Sequence, residues 1–79
     1  MAKRTIRMTF PEQLVKEPVT FRMALQFDLL PNIRRARVTE TAGELVLELE
    51  GSPENLERGL RYLEELGVQV TPVEGDLLE

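Results

Sequence analysis

The stretch NIRRARVTETAGELVLELEG, residues 32–51, decides how this chain folds. Two alternating runs flank an Ala-Gly break at Ala42 and Gly43, the pattern of two strands joined by an antiparallel turn. A loop with an even number of residues opposes Val38 to Leu47, Ala36 to Leu49 and Thr39 to Val46, and that register keeps the two faces chemically distinct. One face then collects Ala36, Val38, Leu45, Leu47 and Leu49, while the other sets Arg35 opposite Glu50 and Arg37 opposite Glu48. An odd loop would mix the faces, so the even one is expected. Only the Gly of Ala42-Gly43 takes positive φ without cost, which leaves the turn type open.

Working outward, Thr5 to Phe10 alternates, with Ile6, Met8 and Phe10 on one side and Thr5, Arg7 and Thr9 on the other, as in a half-buried strand. Pro11 ends it. Pro18 suits a helix start, where a missing N–H is not needed, and apolar residues at 19, 23, 24 and 27 form a helical stripe that Phe21 and Leu25 broaden. Asp28 to Pro31 breaks that pattern, because Pro31 disfavours helical geometry at Leu30. Beyond the hairpin, Ser52-Pro53-Glu54 supplies a hydroxyl N-cap, a proline at the first position and an acid in the first turn. Leu56, Leu60, Leu63 and Leu66 recur at helical spacing, Gly59 shares their face and admits a close neighbour, and Gly67 stops the helix. Val68, Val70 and Pro72 make a last strand, at an edge because of the proline. The glycines at 43, 51, 59, 67 and 75 are evenly spaced, but the residues between them do not repeat.

Strands near 4–10, 33–41, 44–51 and 68–73 and helices near 18–28 and 53–66 therefore follow in the order strand, helix, strand, strand, helix, strand. This is an α+β, ferredoxin-like βαββαβ sandwich: a four-stranded antiparallel sheet, order 4-1-3-2, with two helices on one face. Residues 1–79 make one domain, with a frayed tail at 75–79.

Composition narrows the function. A chain of 79 residues buries only roughly 60% of its unfolded surface, so burial against a partner would help it. Its apolar share of 42% is ordinary for a globular protein, and no apolar run approaches membrane-spanning length. The N-terminus lacks the apolar core of a signal peptide, and a cytoplasmic protein is expected. Cysteine and histidine are both absent, which removes thiolate nucleophiles, sulfur-ligated metals and the usual general base; no cofactor and no enzymatic activity are expected. Residues 1–39 hold eight Lys/Arg and three Asp/Glu, whereas residues 40–79 hold two and eleven. Strands of opposite charge placed side by side would neutralise this asymmetry, and a net charge of −4 disfavours nucleic acid. RNA-binding domains of this topology stack bases on aromatics of the two central strands. Here the outward residues are Thr5, Arg7, Thr9, Val46, Glu48 and Glu50, none of them aromatic.

Few side chains offer chemistry. Ser52 has no histidine to activate it and is explained by capping. Glu48 and Glu50 share a strand face and could bind a cation or form an acid/base pair, but opposing arginines make a solvated ion-pair face the expected arrangement. Tyr62 is expected at the helix surface or rim, and Met8 and Met23 as core fillers.

Several short motifs, in order, resemble the NIL domain family: Phe10-Pro11-Glu12, Glu17-Pro18-Val19, Asn32-Ile33, the GELVLELEG run of residues 43–51, and Tyr62-Leu63-Glu64 before Gly67-Val68. Arg34 stands where the naming motif has Leu. The resemblance implies the ferredoxin-like fold and a regulatory module of the kind appended to methionine-importer ATPases or fused to ferredoxins. Such a module pairs with its own copy and binds methionine or a related sulfur amino acid. It implies Asn32 as a ligand contact, with Ile33 beside it. Partners implied are a second copy, an amino acid, and a transporter ATPase or sulfur-assimilation protein. An Asn after Pro also commonly bonds its own backbone in a turn, and the residues alone leave both readings open. A purely structural protein-interaction module with no small ligand is the other function the sequence allows.

Overall fold

Apolar alternation and two well-marked helix boundaries produce the expected architecture. The structure, a computed structural model, describes residues 1–73; the tail at 75–79 lies outside the described residues. Strand β1 (Ala2–Phe10) leads through a 3-10 turn at Glu12–Leu14 to helix α1 (Val19–Phe27). Then come β2 (Leu30–Val38), β3 (Gly43–Gly51), helix α2 (Pro53–Leu66) and β4 (Gln69–Pro72). The strands form one antiparallel sheet in the order β2-β3-β1-β4, the expected order seen from the other edge.

Both helices lie on one side of that sheet, since Met23 of α1 and Leu56 and Leu63 of α2 join Ile6, Met8, Leu47 and Leu49 in a single buried cluster. Helix α2 begins and ends as its residues dictate. Ser52 Oγ accepts a hydrogen bond from Asn55 N at 3.0 Å, and Gly67 takes φ 103° as its N–H donates to Glu64 O at 3.0 Å. Tyr62 sits half-buried against Phe27, ring centroids 5.3 Å apart. Helix α1 stops at Asp28, whose left-handed backbone (φ 56°) is tolerated by a short polar side chain. This corner points Leu29 inward, where it is buried beside Gly51 and Gly59.

The hairpin departs from expectation in start, turn and register. Strand β2 begins at Leu30 and includes Pro31 and Asn32, so Pro31 is not a break; β2 is an edge strand, where a residue without an N–H is accommodated. The turn is the four residues Thr39 to Ala42, and Gly43 lies in β3 opposite Val38. Thr39 closes it: Oγ1 accepts from Ala42 N at 3.0 Å and Thr41 N at 3.3 Å, and the backbone N–H donates to Ala42 O at 2.8 Å. Thr39→Val should therefore lower stability by about 1 kcal/mol in a urea titration while the slope stays unchanged.

With the turn there, Arg37 opposes Glu44, Ala36 opposes Leu45 and Arg35 opposes Val46, instead of the pairings with Glu48, Leu49 and Glu50. A bulge between Ile33 and Arg35 then makes Arg34 the surplus residue, and pairing resumes with Ile33 opposite Leu47 and Asn32 opposite Glu48. The loop is still even. Ala36 and Val38 consequently share the helix-side face with Leu45 and Leu47, as the alternation required.

Candidate functional site

The β2 edge carries both residues singled out by the sequence, and pairing fixes where each one faces. Leu47 is buried against the helices, so its partner Ile33 faces that side; Glu48 is on the open face, and so is its partner Asn32. The two neighbours thus emerge on opposite faces of an edge strand whose every residue is exposed. Asn32 is held in a strand, which removes the local turn as an explanation for it. A single ligand reaches both side chains only by lying against the free edge.

Around Asn32, the open face is a grid of charges set by the strand registers. Arg7 forms an ion pair with Glu44 through Nε at 3.4 Å. Val46 lies between Arg7 of β1 and Arg35 of β2 and is only 5% exposed although no helix covers it. Glu48 has Thr5 on one side and Asn32 on the other, and Glu50 has Lys3 and Leu30. The expected ion pairs of Glu48 with Arg37 and of Glu50 with Arg35 are therefore absent, because the turn falls two residues earlier and moves the partners of Arg37 and Arg35 by four, to Glu44 and Val46. A shift of four leaves every face unchanged, so alternation carries no signal of it. Glu48, read as one half of an ion pair, is instead an acid between two uncharged hydrogen-bonding residues. That placement is not legible in the alternation of the strands.

On the helix side, β2 extends past the cover of α1. Ile33 and Val38 are 53% and 62% exposed, and Phe21 and Leu25 of α1 are 64% and 68% exposed. Phe21 and Val38 share the rim of a cavity of about 160 Å³, lined also by Phe10, Leu14 and Leu45. Val38 stands six residues along β2 from Asn32, roughly 20 Å at about 3.3 Å per residue, so the cavity and Asn32 belong to different sites. Among the described residues, no helix is long and apolar enough to cross a membrane, and no group of three or more Asp and Glu is placed to hold a metal ion.

Fold and sequence together define the class as a ferredoxin-like α+β module. The family model "NIL domain" matches residues 4–72, nearly the whole chain, and the chain belongs to the NIL domain family. Among solved structures, the C-terminal domain of an ABC transporter ATP-binding protein from Enterococcus faecalis is similar with TM-score 0.78 and 18% identity, covering 92% of this chain and 86% of that one. The de novo designed protein Foldit4 is similar with TM-score 0.58 and 16% identity, covering 94% of this chain and 97% of its own. At these identities the likeness is one of fold. No curated protein sequence matches the chain.

Proposed function

We propose that this chain is a cytoplasmic regulatory module that binds methionine or a related sulfur amino acid at the boundary between two copies. One observation carries this reading: Asn32 and Ile33 leave opposite faces of an exposed edge strand, so a ligand touching both lies at the sheet edge, against whatever covers that edge. Asn32 offers an amide donor and acceptor to the charged end of an amino acid, and Ile33 an apolar surface to its side chain. Family membership, and a fold shared with the C-terminal domain of an ABC transporter ATP-binding protein, support a transporter ATPase or a sulfur-assimilation protein as the machine it regulates. The module works by binding, not by catalysis, and nucleic acid is not among its ligands.

Three surfaces compete for the second copy. The open sheet face presents charges, which are costly to bury. Pro31 and the arginines of β2 discourage strand pairing at that edge. Phe21, Leu25, Ile33 and Val38 form the apolar alternative, and we assign the contact to them. A thermal-shift screen of amino acids tests the ligand, because binding to the folded state raises apparent stability by mass action. Methionine should raise the melting temperature; Asn32→Ala should weaken its binding by about 1–3 kcal/mol, measured by calorimetry, and leave the unliganded melting temperature where it was.

A second reading rests on the same apolar surface: a structural interaction module that binds no small molecule. The cavity at Phe21 and Val38 lies far from Asn32 and favours this alternative. A dimer in sedimentation with no stabilisation by any amino acid would select it.

A further inference from the structure

We infer that Glu48 and Arg35 hold the two charged ends of a free α-amino acid over Asn32, Glu48 receiving the ammonium and Arg35 the carboxylate. This rests on the reading of the module as an amino-acid binder and specifies which part of the ligand is recognised and by what.

The acids of the open face differ in the cations beside them. Glu44 already has Arg7 at 3.4 Å. Glu50 lies directly across the strand pair from a cation, Lys3. Glu48 differs from both, with Thr5 and Asn32 as its direct neighbours. Arg35 is its counterpart among the bases: like Arg7 it lies beside the buried Val46, but unlike Arg7 it has no acid at ion-pair distance among the described residues. Among the described residues, neither Glu48 nor Arg35 has an ion-pair partner.

These two lie on a diagonal of the same strand pair, since Val46 and Glu48 are adjacent on one face of β3 and their partners Arg35 and Asn32 are adjacent on β2. Diagonal neighbours in a sheet are about 7–8 Å apart at the backbone, within reach of long side chains converging on one small group. Asn32 stands beside that diagonal. An acid, a base and an amide carry the complement of a zwitterionic head group, and Val46 beneath keeps the floor dry. The bulge at Arg34 is what brings Asn32 onto this face. The amino-acid side chain is then free to turn over the β2 edge toward Ile33.

Calorimetry on the full chain tests this with three probes: L-methionine, N-acetyl-L-methionine, which lacks the ammonium, and L-methioninamide, which lacks the carboxylate. Against the unsubstituted chain, each modification should weaken binding about tenfold, which corresponds to about 1.4 kcal/mol. Glu48→Gln should weaken methionine about tenfold and abolish the penalty for N-acetylation while retaining that for the amide. Arg35→Gln should do the reverse. Neither exchange should move the unliganded melting temperature; a lowered one with unchanged selectivity means that Glu48 and Arg35 merely pair with each other, and overturns the inference. So does methionine binding in which both penalties survive in both variants. Failure of the unsubstituted chain to bind methionine overturns the amino-acid reading and this inference together, and is told apart from the other outcomes by that first titration alone.

Discussion

Gly59→Ala is expected to destabilise this chain and to stabilise its Leu29→Ala variant. A Cβ at position 59 would lie 2.8 Å from Leu29 Cδ1 and 3.3 Å from Met23 Sδ, and one at Gly51 would run into Leu29 Cδ2. Leu29 is thus seated between two glycines of different elements, one ending β3 and one inside α2. Overpacking there costs about 1–3 kcal/mol, which outweighs the gain of about 1 kcal/mol in helix propensity. Leu29→Ala alone should cost about 2–5 kcal/mol, a large share of the stability of so small a domain. In that background the leucine methyls are gone, the flexible Met23 thioether can give, and the added methyl fills vacated space. The sign of Gly59→Ala then reverses, and the coupling is read from urea titrations of the four chains. Should Leu29→Ala leave too little folded protein, Leu29→Val offers a smaller truncation for the same cycle. An equal effect of Gly59→Ala in both backgrounds would show that Leu29 is not the obstacle.

Loss of self-association is the second large effect. Phe21→Glu combined with Leu25→Glu should convert the proposed dimer to a monomer in sedimentation. The same pair should hardly change the urea midpoint measured at low concentration, because both side chains are exposed in the single chain. Each apolar side chain buried in a contact contributes about 1.5–3 kcal/mol per copy, and a carboxylate in its place adds the cost of burying a charge. A dimer that survives both substitutions would move the contact to the sheet face or to the edge of β2.

The legible parts of the fold were those where a local rule acts within a few residues. The Ser52-Pro53 start of α2, its stop at Gly67, and the alternation of β1 and β3 each carry their own signal, and each forms where expected. The charged strands also flank the acidic one as anticipated, with β3 between β1 and β2. Three features resisted. Strand β2 starts three residues earlier than expected because Pro31 ends a helix by a local rule but sits in an edge strand by a tertiary one. The turn moved because Thr39, through its hydroxyl, closes a loop that needs no glycine. Leu29 was hidden in a two-residue corner too short to show any period, although it is buried in the core. For the site, Asn32 came from the family resemblance, whereas Glu48 and Arg35 became visible only once the register separated them from the partners that alternation had assigned.

The surplus residue in β2 can be viewed as a phase slip. A strand is a signal of period two, and one extra residue delays it by half a cycle. Counting back from the turn without the bulge, Arg34 would oppose Leu47, Ile33 would oppose Glu48, and Asn32 would point at the helices. Position 34 is therefore the one place in β2 where the chain could lose a residue and keep the facing of every other. By the same logic, a residue lost on either side of it would invert everything between the gap and the bulge. The strand behaves as two independently phased segments, one keyed to the turn and one to the corner at Leu29, and the orientation of Asn32 is set by the second of them.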